Sequence, residues 1–141
     1  MTRTSHSEAE TRAAARELAA TLRPDDLILL SGDLGAGKTA FAKGLAEGLG
    51  IDAAEVSSPT FTLIQEYRGG RLTFWHIDLY RLSPPEVDDL GLDELVSSGG
   101  VVAIEWPERW AHVPDDVIRV ELKAVGEDER TILIVRPVTK P

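Results

Sequence analysis

The residue types best suited to chemistry lie in segment 32–39, which reads Gly-Asp-Leu-Gly-Ala-Gly-Lys-Thr. This segment fits the phosphate-binding loop (P-loop) pattern of a glycine, four variable residues, a glycine, a lysine and a hydroxyl residue. Small residues let successive backbone N–H groups approach one polyphosphate closely. Lys38 can reach the outer phosphates, and the Thr39 hydroxyl can ligate a phosphate-bound Mg²⁺. The pattern therefore predicts a site for a nucleoside triphosphate.

Main-chain groups of this loop and the first turn of the helix after it supply the predicted phosphate contacts. The alternative is a glycine-rich turn that carries a lysine by coincidence. Lys38 is also a candidate catalytic residue, because its charge can reach the outer phosphates. The residues expected to bind ATP here are Asp33, Leu34, Gly35, Ala36, Gly37, Lys38, Thr39 and Ala40.

The flanks of the loop have the patterns that such a loop requires. Residues 27–30 read Leu-Ile-Leu-Leu, a continuous apolar run typical of a strand buried on both faces. After the loop, Phe41, Leu45 and Leu49 recur at every fourth position, and Gly50 follows as a helix-ending residue. A helix that begins at the loop points its free N–H groups and positive dipole end at a bound anion.

Two carboxylates, Asp78 and Glu105, each end an apolar run elsewhere in the chain. Because the carboxyl ends of strands in open α/β sheets face the ligand crevice, both acids can converge on a Mg²⁺-phosphate site. Asp78 suits the metal shell and Glu105 suits orientation of the attacking water, although these two roles could be exchanged. The candidate metal-binding residues are thus Thr39, Asp78 and Glu105, and Glu105 joins Lys38 as a candidate catalytic residue. A strand-end acid that caps a helix or pairs with an arginine is the structural alternative.

Four other side chains near these acids have possible roles in the site. The Thr60 hydroxyl could reach the γ-phosphate or the metal, or Thr60 could simply begin a strand. A lone histidine near a strand end, such as His76, is more often structural than catalytic. Trp110 is predicted to fill the core, whereas Trp106, beside a candidate acid, could shape the site or a partner surface.

A leading helix and a β-hairpin flank the predicted site in the sequence. Ser7 and Glu10 form a possible capping box for a helix that reaches about Arg23. Segments 61–67 and 72–78 are rich in β-branched and aromatic residues and predict a hairpin with a tight turn at its two central glycines. We interpret this hairpin as an antiparallel element inserted in the fold.

The second half of the chain predicts a helix and three strands. Ser83 has a helix-start signature with prolines directly after it. Segment 101–105 predicts a buried strand, and segments 117–123 and 130–136 predict two alternating strands. With no repeat or linker, the whole pattern predicts a single α/β domain over residues 1–141: a P-loop NTPase-like three-layer sandwich with a mixed central sheet.

Composition narrows the classes of function. The 141 residues include no cysteine, which excludes disulfides, thiolate catalysis and Cys-type zinc sites and agrees with a reducing compartment. No apolar run exceeds four residues, so we expect no membrane span and a cytoplasmic location. The net charge of -9 comes from 24 acids and 15 bases and would repel a nucleic-acid backbone.

Three other functions remain possible from the residues alone. A small P-loop metabolite kinase would need an acceptor pocket and usually an arginine-rich lid, for which Arg68, Arg71 and Arg81 offer only a small candidate. A GTP switch is disfavoured, because the asparagine of the usual guanine signature cannot exist in a chain without asparagine. A nucleotide-sensing module with negligible turnover is the third.

Four segments of the chain together form a more specific pattern than the phosphate loop alone. They are Gly32-Asp33-Leu34-Gly35-Ala36-Gly37-Lys38-Thr39, Ser58-Pro59-Thr60-Phe61-Thr62-Leu63, His76-Ile77-Asp78-Leu79-Tyr80-Arg81 and Glu105-Trp106-Pro107-Glu108. In order and approximate spacing they resemble the TsaE family, the small bacterial ATPases of the tRNA threonylcarbamoyladenosine machinery. The resemblance runs from about Asp26 to Glu108, and its last three segments make it specific.

The resemblance implies a Mg²⁺-dependent ATPase that acts with two larger proteins, a threonylcarbamoyltransferase and its paralogous partner. ATP hydrolysis in that family serves turnover of the complex, and the partners hold the tRNA. The resemblance makes Lys38 and Thr39 phosphate and metal ligands, Asp78 a metal-associated acid and Glu105 a catalytic carboxylate. It makes Thr60 and Trp106 neighbours of the site.

Overall fold

The structure is a computed structural model that describes residues 1–33, 36–52 and 64–137. Residues 34–35, 53–63 and 138–141 lie outside the described residues, and they include the predicted site residues Leu34, Gly35 and Thr60. The described part contains a seven-stranded mixed sheet, and helices pack their side chains against both of its faces. The predicted α/β class and mixed central sheet are therefore confirmed.

The strands are arranged so that those nearest the predicted site run in parallel. In chain order they are β1 (Thr2–Ser5), β2 (Leu27–Ser31), β3 (Ile64–Tyr67), β4 (Phe74–Asp78), β5 (Val101–Glu105), β6 (Ile118–Ala124) and β7 (Arg130–Val135). Their order across the sheet is β1-β7-β6-β2-β5-β4-β3. The pairs β2–β5, β2–β6 and β4–β5 are parallel, and the pairs β1–β7, β6–β7 and β3–β4 are antiparallel. Consequently β2, β5 and β4 end side by side at one edge of the sheet.

Helices cover both faces of this sheet. They are α1 (Glu8–Ala19), α2 (Lys38–Gly48), α3 (Pro84–Asp88) and α4 (Leu92–Leu95), followed by a 3₁₀ helix at Pro107–Arg109. Helices α1 and α2 pack on the face that carries Ile28 and Leu30 of β2, whereas α3 and α4 pack on the face that carries Leu27 and Leu29. Burial on both faces explains why β2 reads as a continuous apolar run. None of the described helices is long and apolar enough to cross a membrane.

Helices α1 and α2 approach each other very closely. A Cβ atom built on Gly44 would lie 2.3 Å from the carbonyl oxygen of Arg12, and one built on Gly48 would lie 2.4 Å from Cβ of Ala19. At the rim of this contact, Nε and Nη2 of Arg12 lie 2.7 and 2.6 Å from Oε1 of Glu47. The two glycines thus let α1 act as a support for the helix that begins at the phosphate loop.

The leading helix begins where predicted but ends earlier. The Ser7 hydroxyl accepts from the backbone N–H of Glu10 at 3.1 Å, as an N-cap does. The helix ends at Ala19, so the prediction of a helix to about Arg23 was wrong. Arg71, from the β3–β4 connection, donates from Nη2 to the carbonyls of Ala19 and Leu22 at 2.6 and 3.0 Å. A distant guanidinium therefore satisfies carbonyl groups at the end of the helix, which local sequence cannot reveal.

The predicted hairpin forms, but its turn is longer than predicted and it belongs to the main sheet. Strands β3 and β4 pair up to Tyr67 and Phe74, so residues 68–73 form the connection in place of a tight turn. This connection packs on the end of α2, where a Cβ on Gly70 would lie 2.2 Å from the Leu49 carbonyl oxygen. The backbone N–H of Arg71 also donates to that oxygen at 2.8 Å. Contact with α2 therefore sets the length of the connection.

Other predicted elements are confirmed, and one strand was missed. Ser83 and Glu86 form a capping box at the start of α3, and β6 and β7 pair as an antiparallel hairpin. Strand β1 was not predicted, because its sequence Thr-Arg-Thr-Ser is polar and short. Backbone hydrogen bonds to β7, including a reciprocal pair between Met1 and Ile134 at 2.8 Å, hold it at the sheet edge.

We expect the α1–α2 contact to tolerate no side chain at Gly44. The substitution Gly44→Ala should lower the free energy of unfolding by about 1–3 kcal/mol, because the added methyl group overlaps a backbone carbonyl that cannot move freely. The control is Gly126→Ala, where the new Cβ would meet its nearest neighbour at 4.0 Å and the change should stay within about 0.5 kcal/mol. Urea unfolding followed by circular dichroism measures both. Equal stability of the two variants would contradict this packing.

Candidate active site

The described ends of the phosphate loop have the backbone conformations that require glycine. Gly32 has a φ of 151°, and a Cβ there would lie 2.5 Å from the Leu122 carbonyl oxygen. Gly37, the N-cap of α2, has a left-handed conformation with a φ of 101°. Between them the N–H of Ala36 donates to the Asp33 carbonyl at 3.0 Å, which turns the chain back on itself. The loop thus delivers the chain into α2 at the edge where β2 ends.

The N-terminus of α2 is open to an anion. No described side chain caps it by a hydrogen bond, and its first turn contains no acidic residue. The first N–H groups of a helix have no partners within the helix, and they carry the positive end of its dipole. The first turn of α2 therefore has the groups that bind phosphate in other proteins.

Lys38 is the first residue of α2 and is almost completely buried. Only 6% of its surface is exposed, and Nζ has no hydrogen-bond partner among the described residues. The centroid of the Trp106 indole ring lies 4.0 Å from Nζ, and Oε1 of Glu105 also lies 4.0 Å from it. Burial lowers the pKa of Lys38, while the charges of Glu105 and Asp78 oppose that shift. A buried cation lacking hydrogen bonds is well suited to bind a negatively charged phosphate.

Glu105 ends β5 and is also buried, with 5% of its surface exposed. Its neighbour across the β2–β5 pair is Leu30, two residues before the loop begins, and its neighbour across the β4–β5 pair is Asp78. The two carboxylate oxygens of Glu105 have different neighbours: Oε2 lies 2.6 Å from Nε2 of His76, and Oε1 faces Lys38. The sheet register alone therefore brings both predicted acids to the loop.

Asp78 ends β4 beside Glu105 and is half-buried. Its Oδ1 accepts from the backbone N–H of Tyr80 at 2.9 Å. Burial raises the pKa of Asp78; this hydrogen bond opposes the rise, and the nearby charge of Glu105 adds to it. Ionisation of Asp78 is costly because the group is half-buried and a second carboxylate lies beside it. A cation bound between or beside the two carboxylates would lower that cost.

Trp106 occupies an unusual conformation next to these groups. Its φ of 60° and ψ of 51° are left-handed, which a residue other than glycine adopts only when its surroundings hold it there. Its ring lies 4.8 Å from that of Tyr80, centroid to centroid, and Nη1 of Arg109 ties the following 3₁₀ helix to the Leu82 carbonyl at 3.1 Å. These contacts hold the indole over Lys38. Trp110, in contrast, is a core residue, as predicted.

The structure brings most of the predicted site residues to one place. Thr39 and Ala40 follow Lys38 in the first turn of α2, and the two predicted acids lie at the adjacent strand ends. The described residues contain no group of three His, Asp or Glu side chains that could hold a metal ion by themselves. Any Mg²⁺ here would need phosphate or water oxygens in addition to Thr39 and one or both acids, which is how P-loop proteins bind it.

The sequence favours a structural role for His76 over a catalytic one, as is usual for a lone histidine near a strand end. The structure places its ring against Glu105, within the site. The available signal was the strand period: residues two apart share a face, so His76 lies on the same face of β4 as Asp78.

The raised pKa of Asp78 predicts a pH-dependent effect on stability. Because the folded state disfavours the charged carboxylate, ionised Asp78 destabilises the folded protein. This destabilisation is fully present above the pKa of Asp78 in the folded state and disappears below the unfolded pKa of 3.8. Asp78→Asn should therefore raise the Tm at pH 7, and this gain should shrink as the pH falls towards 4. The control is the exposed turn residue Asp128, whose Asn variant should show no such trend. A gain in Tm that does not depend on pH, or a lower Tm at pH 7, would contradict a raised pKa for Asp78.

Comparison with known proteins identifies the family. A family model described as threonylcarbamoyl adenosine biosynthesis protein TsaE matches residues 5–132. The tRNA threonylcarbamoyladenosine biosynthesis protein TsaE of Bacillus subtilis is 48% identical over 128 residues, covering 87% of this chain and 77% of that protein. The protein of the same name from Rickettsia bellii is 43% identical over 127 residues, covering 89% of this chain and 88% of that protein. The crystal structure of Bacillus subtilis YdiB is similar with a TM-score of 0.79 at 37% identity, covering 98% of this chain and 86% of that one.

The matched region contains every described residue of the candidate site, from the phosphate loop through the acids that end β4 and β5. The similarity therefore includes the groups from which chemistry would come as well as the fold. This chain belongs to the TsaE family, which takes part in the biosynthesis of threonylcarbamoyladenosine in tRNA.

Proposed function

We propose that this chain is a Mg²⁺-dependent ATP-binding and ATP-hydrolysing subunit required for the threonylcarbamoyladenosine modification of tRNA. The pathway is that of its family, and the chemistry is argued from the site. The observation that carries the proposal is the buried Lys38 ammonium, which has no hydrogen-bond partner among the described residues. A buried ammonium group without hydrogen bonds is costly even beside a carboxylate, so an anionic ligand that accepts hydrogen bonds from it best explains this group.

A triphosphate suits this position because several donors converge on it. The first N–H groups of α2 point along the helix axis at the place where the loop turns, and Lys38 adds a full positive charge. Gly32 lets the start of the loop pack directly against the Leu122 carbonyl of β6, and Gly37 adopts the left-handed conformation from which α2 begins. Asp33 to Ala40, with Leu34 and Gly35 among them, are the residues proposed to hold the phosphates, and Thr60 is proposed as a further neighbour.

Thr39, Asp78 and Glu105 are proposed to hold Mg²⁺ together with phosphate oxygens and water. When bound, the metal neutralises charge on the phosphates and polarises the bond that breaks. The two acids lie on neighbouring strand ends, so either could hold the ion directly while the other held it through water. The raised pKa of Asp78 is consistent with a carboxylate whose ionisation a bound cation would favour.

Glu105 is proposed to orient the attacking water. The water oxygen forms a bond to the γ-phosphorus while the bond from that phosphorus to the bridging oxygen breaks, leaving ADP and phosphate. The Oε1 atom of Glu105 faces Lys38, so it lies on the side of the carboxylate from which a phosphate would approach. Lys38 stabilises negative charge on the phosphoryl group as it transfers.

Two larger proteins are proposed as partners: a threonylcarbamoyltransferase and its paralogue. ATP hydrolysis would then drive turnover of the complex. The net charge of -9 supports a role in which the partners contact the tRNA, because this subunit would repel the phosphate backbone over most of its surface. Slow hydrolysis by the isolated chain is compatible with this arrangement.

Loss of the Lys38 charge should weaken ATP binding. We expect Lys38→Ala to raise the Kd for Mg²⁺-ATP about 10- to 100-fold, because a charge-assisted contact to phosphate disappears. Lys43→Ala is the control, since Lys43 lies on the same helix and is half-buried but has no described contact with the site. Isothermal titration calorimetry measures both. Native affinity in Lys38→Ala would refute a phosphate role for this residue.

Glu105→Gln should separate catalysis from binding. In the presence of the partner proteins we expect kcat to fall about 100-fold or more, with a change in ATP Kd below about threefold, because a water-orienting group acts mainly in the transition state. Labelled ATP reports the product: free phosphate supports an ATPase, and transfer to a metabolite supports a kinase. Equal losses of binding and rate would count against this role for Glu105.

A further inference from the structure

We infer that His76 is a positioning residue that holds Glu105 in its productive orientation, an inference that rests on the proposed function. His76 lies in the middle of β4 and is completely buried. Its Nε2 and Oε2 of Glu105 are 2.6 Å apart. Because a carboxylate oxygen accepts hydrogen bonds, we assign Nε2 as the donor. The imidazole is the only described side chain that hydrogen-bonds to this carboxylate.

The sheet provides a fixed seat for the imidazole. His76 stands opposite Ala103 in the β4–β5 register, and the short alanine side chain leaves room for the ring to reach along β5 to Glu105. On its other side the ring is nearly parallel to that of Phe74, with an interplanar angle of 11° and centroids 6.1 Å apart. The ring therefore has little freedom to tilt, and its Nε2–H is aimed at one carboxylate oxygen.

This hydrogen bond leaves the two oxygens of Glu105 with different tasks. Oε2 is held by His76, whereas Oε1 faces Lys38 across 4.0 Å. If Lys38 turns to a phosphate, Oε1 loses that neighbour, but the bond from His76 to Oε2 can persist. Oε1 is then free to accept from the attacking water or to bind the metal. A held carboxylate costs less to orient in the transition state than a freely rotating one.

A purely structural role explains the position of His76 poorly. The ring loses its hydration on burial, and Nδ1 has no hydrogen-bond partner among the described residues. A phenylalanine would fill a similar volume without either cost, and the neighbouring Phe74 shows that an aromatic ring is accommodated on this face. The contribution that only the histidine makes is the hydrogen bond to Glu105.

The test compares a variant that keeps the donor with one that removes it. In His76→Gln the amide NH₂ stands in for Nε2–H, and His76→Phe keeps a ring without a donor. With the partner proteins present, we expect His76→Phe to lower kcat for ATP hydrolysis about 10- to 100-fold while the ATP Kd changes less than about threefold. His76→Gln should recover most of that loss.

A double-mutant cycle distinguishes positioning from general damage. In a Glu105→Gln background, His76→Phe should lower kcat less than about threefold further, since the carboxylate it positions is gone. If His76→Phe does not fold, His76→Asn replaces it, because the shorter amide cannot reach Oε2. We then expect kcat about tenfold below that of His76→Gln.

Three results would overturn the inference: native kcat without the donor, no recovery in His76→Gln, or an equal further loss in the Glu105→Gln background. A native protein that fails to hydrolyse ATP even with its partners would instead overturn the proposed function. The two failures are therefore distinguishable.

Discussion

The burial of one positive charge, on Lys38, is the constraint around which the site is organised. The ammonium lies beneath the indole of Trp106 and 4.0 Å from a buried carboxylate, with no hydrogen bond among the described residues. Burial disfavours the charged form, and the surrounding acids partly compensate for it. Phosphate oxygens, as proposed, would stabilise this site, because they would accept the hydrogen bonds that Nζ of Lys38 does not make among the described residues.

The fold holds the groups around this charge through elements that cannot shift independently. The parallel register of β2, β5 and β4 sets Glu105 beside the start of the loop and Asp78 beside Glu105. Helix α2 is fixed at its N-terminus by the loop and along its length by the close contact of Gly44 and Gly48 with α1. A closely packed helix and the end of a parallel sheet thus meet at the site, which is the preorganisation that the proposed phosphoryl transfer would need.

Most of the fold was predictable because its signals are local. Three elements were predicted from patterns among residues that are close in the chain. These patterns are the apolar run of β2, the four-residue spacing of Phe41, Leu45 and Leu49 in α2, and the capping box at Ser83. The errors arose where distant contacts intervened: Arg71 satisfies the end of α1, and α2 sets the length of the β3–β4 connection. The polar strand β1 has no signal of its own and depends on pairing with β7. The roles of Leu34, Gly35 and Thr60 stay predictions.

Residue types and spacing alone predicted the phosphate loop, the strand and helix around it, and the two acids at strand ends. Their convergence also followed, because parallel strands end at a common edge. The pairing of His76 with Glu105, the position of Lys38 over Trp106 and the division of the Glu105 oxygens needed the three-dimensional structure. His76 and Glu105 are 29 residues apart in the chain, and no local pattern encodes the register that joins them. Short-range periodicity specifies elements, whereas side-chain contacts between strands depend on how those elements pack.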